Sequence, residues 1–158
     1  MTNREIFALD LPDEAATCAL ASRIAGLARQ GDVVGLSGPL GIGKTVFARA
    51  FVRNRVDVAE VPSPTFTLVE IYQSLTGPAV WHFDLYRLAR PEEAYELGIE
   101  EAFATGIALI EWPERLGSLL PREHLGVTLE PGQSETARRA RLSASSSWAA
   151  RVAGLPRV

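Results

Sequence analysis

The sequence predicts an α/β domain in which helices pack on a mainly parallel central sheet that carries an antiparallel hairpin portion. Three observations predict it. The stretch Gly38-Pro39-Leu40-Gly41-Ile42-Gly43-Lys44-Thr45 fits G-x-x-x-x-G-K-[ST] without a mismatch. It stands between a short apolar run, Val33-Val34-Gly35-Leu36-Ser37, and a segment with Phe47, Ala50, Phe51 and Asn54 at helical spacing. Further on, Ile107-Ala108-Leu109-Ile110 is an uninterrupted apolar run, the mark of a strand covered on both faces. Together they place the chain among the P-loop NTPases, as one domain over 1–158.

The elements follow in order. Residues 6–9 read as a short strand ended by Asp10 and Pro12. Asp13 and Glu14 open a helix to about Gln30, with Ala16, Leu20, Ile24 and Leu27 on one face and acids in the first turn, where the helix dipole favours them. After the glycine-rich loop and its helix, Pro62 and Pro64 keep 61–65 out of any helix interior. Residues 66–72 are rich in β-formers, Gly77-Pro78 makes a turn, and 79–84 form a further strand. The short spacing pairs these two strands as the hairpin. Pro91 starts a helix that Gly98 ends, and a second short helix over 99–104 stops at Gly106. After the strand at 107–110, Glu111-Trp112-Pro113 leads into a helical turn through Leu116, closed by Gly117. Segments 125–129 and 138–144 are the last strands, and the tail from Trp148 has no assigned element.

Composition narrows the setting. With 16 basic and 19 acidic residues the net charge is −3 over 158 residues, so any contact with nucleic acid is local or made through a partner. The single cysteine, Cys18, excludes an intrachain disulfide and a thiolate zinc cluster, and reads as a free buried thiol in a reducing compartment. Met1 to Glu5 lack the basic start and apolar run of a secretory signal, and no apolar stretch approaches the ~20 residues that span a bilayer. The expected location is cytoplasmic, with no membrane partner. There is no internal repeat, and only 143–147 is mildly serine-biased.

The loop composition has a physical reason. Glycines let backbone N–H groups turn inward and approach phosphate oxygens, which a Cβ obstructs. The helix N-terminus adds unpaired donors and partial positive charge. The cofactor-binding set is therefore Gly38, Pro39, Leu40, Gly41, Ile42, Gly43, Lys44, Thr45 and Val46. Lys44 neutralises the β- and γ-phosphates, and the Thr45 hydroxyl ligates Mg²⁺. No N-K-x-D guanine-reading motif is present, which favours ATP over GTP.

Such a loop needs acids at C-terminal strand ends to place Mg²⁺ and water. Asp84 ends one apolar run and Glu111 ends another. Glu111 is assigned to Mg²⁺, directly or through water, and Asp84 to the attacking water or to sharing the metal. The plainer alternative is that each carboxylate caps the turn that follows it. Ser63-Pro64-Thr65-Phe66 brings hydroxyls in a stiff loop, either a segment that senses the γ-phosphate or a simple proline turn. His82 reads as a strand histidine and His124 as a surface one. Arg87, Arg90 and Arg115 are candidate transition-state charges, but nothing singles one out.

The phosphate loop, then Ser63-Pro64-Thr65-Phe66-Thr67-Leu68-Val69, then His82-Phe83-Asp84-Leu85-Tyr86-Arg87-Leu88, then Leu109-Ile110-Glu111-Trp112-Pro113-Glu114-Arg115-Leu116 stand in that order. This succession resembles the TsaE (formerly YjeE) family, small bacterial ATPases of tRNA threonylcarbamoyladenosine synthesis. The likeness runs from the Asp13 helix to the segment at 138–144. It implies an ATPase that acts with a TsaD–TsaB complex, reaches tRNA only indirectly through that complex, and resets it between turnovers. It also implies that Asp84 and Trp112 are needed for activity, that Arg138 lies near the nucleotide and that residues around 10–13 border the adenine. Val46 stands where the family often has a second Thr, which removes one hydroxyl contact and leaves the Mg²⁺ ligand in place. Pro39 and Ile42 replace residues that are often acidic and small, respectively. Two alternatives stay open: a small kinase on the same fold, and a nucleotide-dependent scaffold without significant turnover.

Overall fold

A computed structural model describes residues 4–57 and 61–155. The first three residues of the leader reading and the last three of the unassigned tail lie outside the described residues. The chain runs β1 (Arg4–Leu11), α1 (Glu14–Leu27), β2 (Val33–Ser37), α2 (Lys44–Arg55), β3 (Val69–Tyr72) and β4 (Val80–Asp84). A 3-10 segment (Pro91–Leu97) then leads to α3 (Ile99–Thr105) and β5 (Ile107–Glu111). A second 3-10 segment (Pro113–Leu119) is followed by β6 (Leu125–Pro131), β7 (Arg138–Ala144) and α4 (Ser146–Val152).

The strands form one sheet in the order β1-β7-β6-β2-β5-β4-β3. At its centre β6, β2, β5 and β4 are parallel. The hairpin β3–β4 is antiparallel as expected. The antiparallel share is nevertheless larger than the sequence suggested, because β1–β7 and β6–β7 are antiparallel too. Pairing of the first strand with the last has no local signature, so only the tertiary fold reveals it. β3 starts at Val69 rather than at 66: Leu68 sits at φ 68°, and its N–H bonds to the Pro64 carbonyl, which takes the preceding residues out of the ladder. The tail left unassigned from Trp148 contains α4.

Period-two alternation divides the buried strands between two cores. Val34, Leu36, Val80, Ile107 and Leu109 face α1, α2 and α4, where Leu20, Ile24, Phe47, Phe51 and Trp148 meet them. Val33, Trp81, Phe83, Ala108 and Ile110 face the other way, against Ile99, Ala102, Leu116 and Leu88. In α2 the buried apolar positions are Phe47, Ala48, Phe51 and Val52, whereas Ala50 is half-buried and Asn54 exposed, contrary to the stripe read from the sequence. The helix is covered by both the sheet and α1, which widens the stripe. Asp13 caps α1 by accepting from the Ala16 N–H at 2.9 Å.

One ion pair fastens α4 to the sheet. Arg151 grips Asp32 through two bonds of 2.6 and 3.0 Å and donates to the Leu27 carbonyl at 2.9 Å. Its guanidinium also stacks 3.8 Å from the Trp148 ring centroid. Both side chains are largely covered, 10% and 15% exposed. Arg151→Met keeps much of the stem but leaves the Asp32 carboxylate without its fork. We expect a loss of about 3 kcal/mol, the cost of stripping one partner from a covered pair. It should appear as a lower urea midpoint with an unchanged slope; a change below about 0.5 kcal/mol, the range of ordinary surface substitutions, would count against the clamp.

Candidate functional site

β2 delivers the chain to the loop at Ser37, and α2 begins at Lys44. The backbone between them needs glycine at Gly38, where φ is +140° and a Cβ would lie 2.5 Å from the Leu129 carbonyl oxygen of the adjoining strand. Gly43, the residue before α2, has no side chain to cap it, so the first-turn N–H groups of α2 point to the loop unclaimed by a cap.

Lys44 is buried and turned back over the loop, its ammonium bonded to the Gly38 carbonyl and, at 3.2 Å, to that of Pro39. It also lies 3.9 Å from the centroid of the Trp112 ring. Burial pushes its pKa below the ordinary lysine value, while Glu111, Glu114 and Asp84 push it back up. Trp112 is itself held in the left-handed region, φ 61° and ψ 52°, with its N–H bonded to the Leu36 carbonyl at 3.1 Å and its ring tilted against Tyr86 at 5.0 Å. A tryptophan pays about 1–3 kcal/mol for such a backbone, which persists only where the surroundings fix it.

The two acids meet at the strand ends. Asp84 and Glu111 are register partners across parallel β4 and β5. Alternation puts both on the face that carries α2, the same face as Val80 and Leu109. Both are buried, 6% and 3% exposed. Asp84 accepts from the Tyr86 N–H at 3.1 Å and from the Thr65 hydroxyl at 3.2 Å, and Thr65 is within 2.8 Å of the Ser63 hydroxyl. Asp84 therefore does cap the turn at Tyr86, yet its second oxygen is tied to the Ser63–Thr65 loop. Glu111 shares a 2.8 Å hydrogen bond with His82, which is fully buried. In the sequence His82 looks like a plain strand residue; the His-x-Asp spacing on a strand is the available signal, since it puts His82 on Asp84's face.

A cavity of about 260 Å³ brings Leu40, Gly41, Gly43, Lys44, Thr45 and Val46 together with Thr65, Asp84, Glu111, Tyr86 and Trp112. Pro39 stays outside it but supplies a carbonyl to Lys44, and the Ile42 side chain turns into the core. A neighbouring cavity of about 410 Å³ is lined by Asp13, Glu14, Thr17, Gly41, Ile42, Gly43, Val46, Glu135, Thr136 and Arg138. Arg138 is thus apart from Lys44, and its guanidinium bonds to the Ile42 carbonyl at 2.7 Å and to the Glu135 and Ala137 carbonyls at 2.8 Å. Asp13 borders this second cavity while Asp10 does not. Arg87 stacks on Phe66 at 4.6 Å and Arg115 on Tyr86 at 5.8 Å.

Among the described residues no group of three or more His, Cys, Asp and Glu can hold a metal by itself. The first cavity offers instead the hydroxyls of Thr45, Thr65 and Tyr86 and the carboxylates of Asp84 and Glu111, hard oxygen donors around a cationic loop. That set suits Mg²⁺, which binds through one or two carboxylates and completes its shell with phosphate oxygens and water. Two expectations away from the site need correction. Cys18 is half-buried in a groove beside Arg49 and Arg53, its thiol pKa raised by burial and by Glu14 and lowered in part by Arg53. His124 is half-buried rather than on the surface; its Nδ1 bonds to the Pro121 carbonyl at 2.7 Å, and burial lowers its pKa.

Known proteins resemble this chain over most of its length. Residues 11–140 match the model of the family described as threonylcarbamoyl adenosine biosynthesis protein TsaE. The tRNA threonylcarbamoyladenosine biosynthesis protein TsaE of Rickettsia felis is 41% identical over 123 residues, 77% of this chain and 71% of the relative. Its counterpart in Bacillus subtilis is 37% identical over 120 residues, 75% of this chain and 73% of the relative. The crystal structure of Bacillus subtilis YdiB superposes with a TM-score of 0.77 at 25% identity, covering 97% of this chain and 94% of that one.

Proposed function

The chain belongs to the TsaE family of tRNA threonylcarbamoyladenosine biosynthesis, and from that premise we propose that it binds and hydrolyses Mg²⁺-ATP in support of this modification. The observation that carries the reading is the register pairing of Asp84 with Glu111 beside Lys44 and Thr45 in one cavity. The loop N–H groups and Lys44 hold the β- and γ-phosphates, and the Lys44 ammonium leaves its carbonyl and tryptophan contacts to do so. Thr45 and Glu111 hold Mg²⁺, which when bound neutralises phosphate charge. Asp84 orients the attacking water and accepts its proton, with Thr65 fixing the carboxylate. Trp112 holds the Lys44 ammonium over the loop until phosphate takes it, and closes one wall. The second cavity, next to Gly41 and Val46, takes the nucleoside, and Arg138 braces the loop there through the Ile42 carbonyl.

The protein works with a TsaD–TsaB type complex and meets tRNA through it, in keeping with the net charge of −3. Among the described residues no helix is long and apolar enough to cross a membrane. A kinase would need a lid or acceptor pocket, yet the stretch from Leu85 to Ala102 is packed into the second core through Leu85, Leu88, Ala94, Ile99 and Ala102. A reconstituted modification assay tests the proposal. Purified chain, TsaD, TsaB and tRNA, supplied with the threonylcarbamoyl donor, should give multiple turnovers of modified nucleoside by mass spectrometry only with ATP and Mg²⁺. Equal turnover without this chain would sink the role, and transfer of label from γ-labelled ATP to a small acceptor would favour the kinase.

A further inference from the structure

His82 is fully buried, and among the described residues its Nδ1 has no hydrogen-bond partner. An apolar residue would fill this place on β4 without leaving a polar atom bare, a cost of about 1–3 kcal/mol. The compensating contact is the other ring nitrogen, 2.8 Å from Glu111 Oε2. An ionised carboxylate only accepts, so Nε2 carries the hydrogen and donates it. The strand geometry explains why this pair can form. His82 is in register with Leu109, and alternation places Glu111 diagonally ahead of it on the same face. Glu111 has rotatable side-chain bonds that a free glutamate samples at an entropic cost of up to about 2 kcal/mol when fixed.

We propose that His82 is a positioning residue for the metal site: its Nε2–H clamps one oxygen of Glu111 and thereby aims the carboxylate into the cavity it shares with Thr45. The inference rests on the reading of Glu111 as the Mg²⁺-side acid. A histidine that orients a ligating carboxylate changes metal affinity, by about 10- to 100-fold when removed, while leaving contacts to the nucleotide itself in place.

The test is equilibrium binding of Mn²⁺ to the complex of the protein with ATP, read from the electron paramagnetic resonance of free Mn²⁺, beside ATP binding in EDTA. His82→Leu removes the donor and keeps most of the volume. It should weaken Mn²⁺ by about 10- to 100-fold and leave metal-free ATP binding within about twofold. His82→Gln puts an amide N–H where Nε2 stands and should restore Mn²⁺ affinity to within about threefold. Glu111→Gln should weaken Mn²⁺ similarly, and the double variant His82→Leu, Glu111→Gln should be no weaker than Glu111→Gln alone, because the two act as one unit. Wild-type Mn²⁺ affinity in His82→Leu, with Glu111→Gln weakened, overturns the positioning role alone. Unchanged affinity in Glu111→Gln overturns the metal reading beneath it, and the inference with it. Should His82→Leu lose its cooperative melt, His82→Asn takes its place: the shorter amide falls short of Glu111 and should bind Mn²⁺ weakly beside His82→Gln, whereas equal affinities in the two overturn the proposal.

Discussion

Lys44→Ala is expected to lower ATP turnover by about a thousandfold, the scale of removing a preorganised charge from a phosphoryl-transfer site. The ammonium is buried and already shaped to the loop, bonded to the Gly38 and Pro39 carbonyls and stacked over Trp112. Its surroundings contain three acids that favour the charged form, Glu111, Glu114 and Asp84, set against the larger effect of burial. Alanine removes what is, among the described residues, the one cation in the cavity lining that can follow charge onto the γ-phosphate as the bond breaks. Arginine should not rescue it, since a planar fork does not fit a place built for a point charge. Phosphate release at saturating ATP checks the expectation, with thermal melting as the control for folding. Turnover within tenfold of wild type in a folded variant would remove Lys44 from the catalytic site.

Asp84→Asn should cost about 10²- to 10³-fold in turnover while ATP affinity stays within about threefold. The substitution keeps size and hydrogen-bonding reach. The amide oxygen still accepts from the Tyr86 N–H, and the amide nitrogen can donate to the Thr65 hydroxyl that the carboxylate now accepts from. Only the negative charge and its capacity to take a proton are lost. A parallel loss of ATP affinity would show that Asp84 shapes the pocket rather than the chemistry. Thr65→Val gives a milder version, because it frees Asp84 without discharging it.

Much of this site was legible in the chain, and what was not has physical causes. The loop at 38–45 and the acids at 84 and 111 are local patterns: a motif with fixed spacing, and apolar runs that end in a carboxylate. What the sequence could not supply was register. That Asp84 stands beside Glu111 depends on β4 and β5 aligning with no offset. That Thr65 reaches Asp84 depends on Leu68 at φ 68° breaking the β-rich run at 66–72 and folding 61–68 back over the strand end, where the Asp84 N–H bonds to the Leu68 carbonyl. His82 looked ordinary because a histidine among apolar neighbours gives no hint of its diagonal partner. The antiparallel edge built by β1, β7 and β6 was missed for the same reason: Arg4 pairs with Ala144 across nearly the whole chain. Arg138, set near the nucleotide by resemblance alone, lines the cavity beside Gly41 and Val46 and holds the Ile42 carbonyl, a contact between residues 96 positions apart that no local pattern announces.

We propose that this loop and these two acids form an ATP-hydrolysing site that serves a partner complex. The most direct test is release of phosphate from ATP by the purified chain, alone and with the TsaD–TsaB pair, with and without Mg²⁺. Mg²⁺-dependent release should rise when the pair is added and disappear in Lys44→Ala. No release under any of these conditions, or release that is indifferent to both Mg²⁺ and the pair, would contradict it.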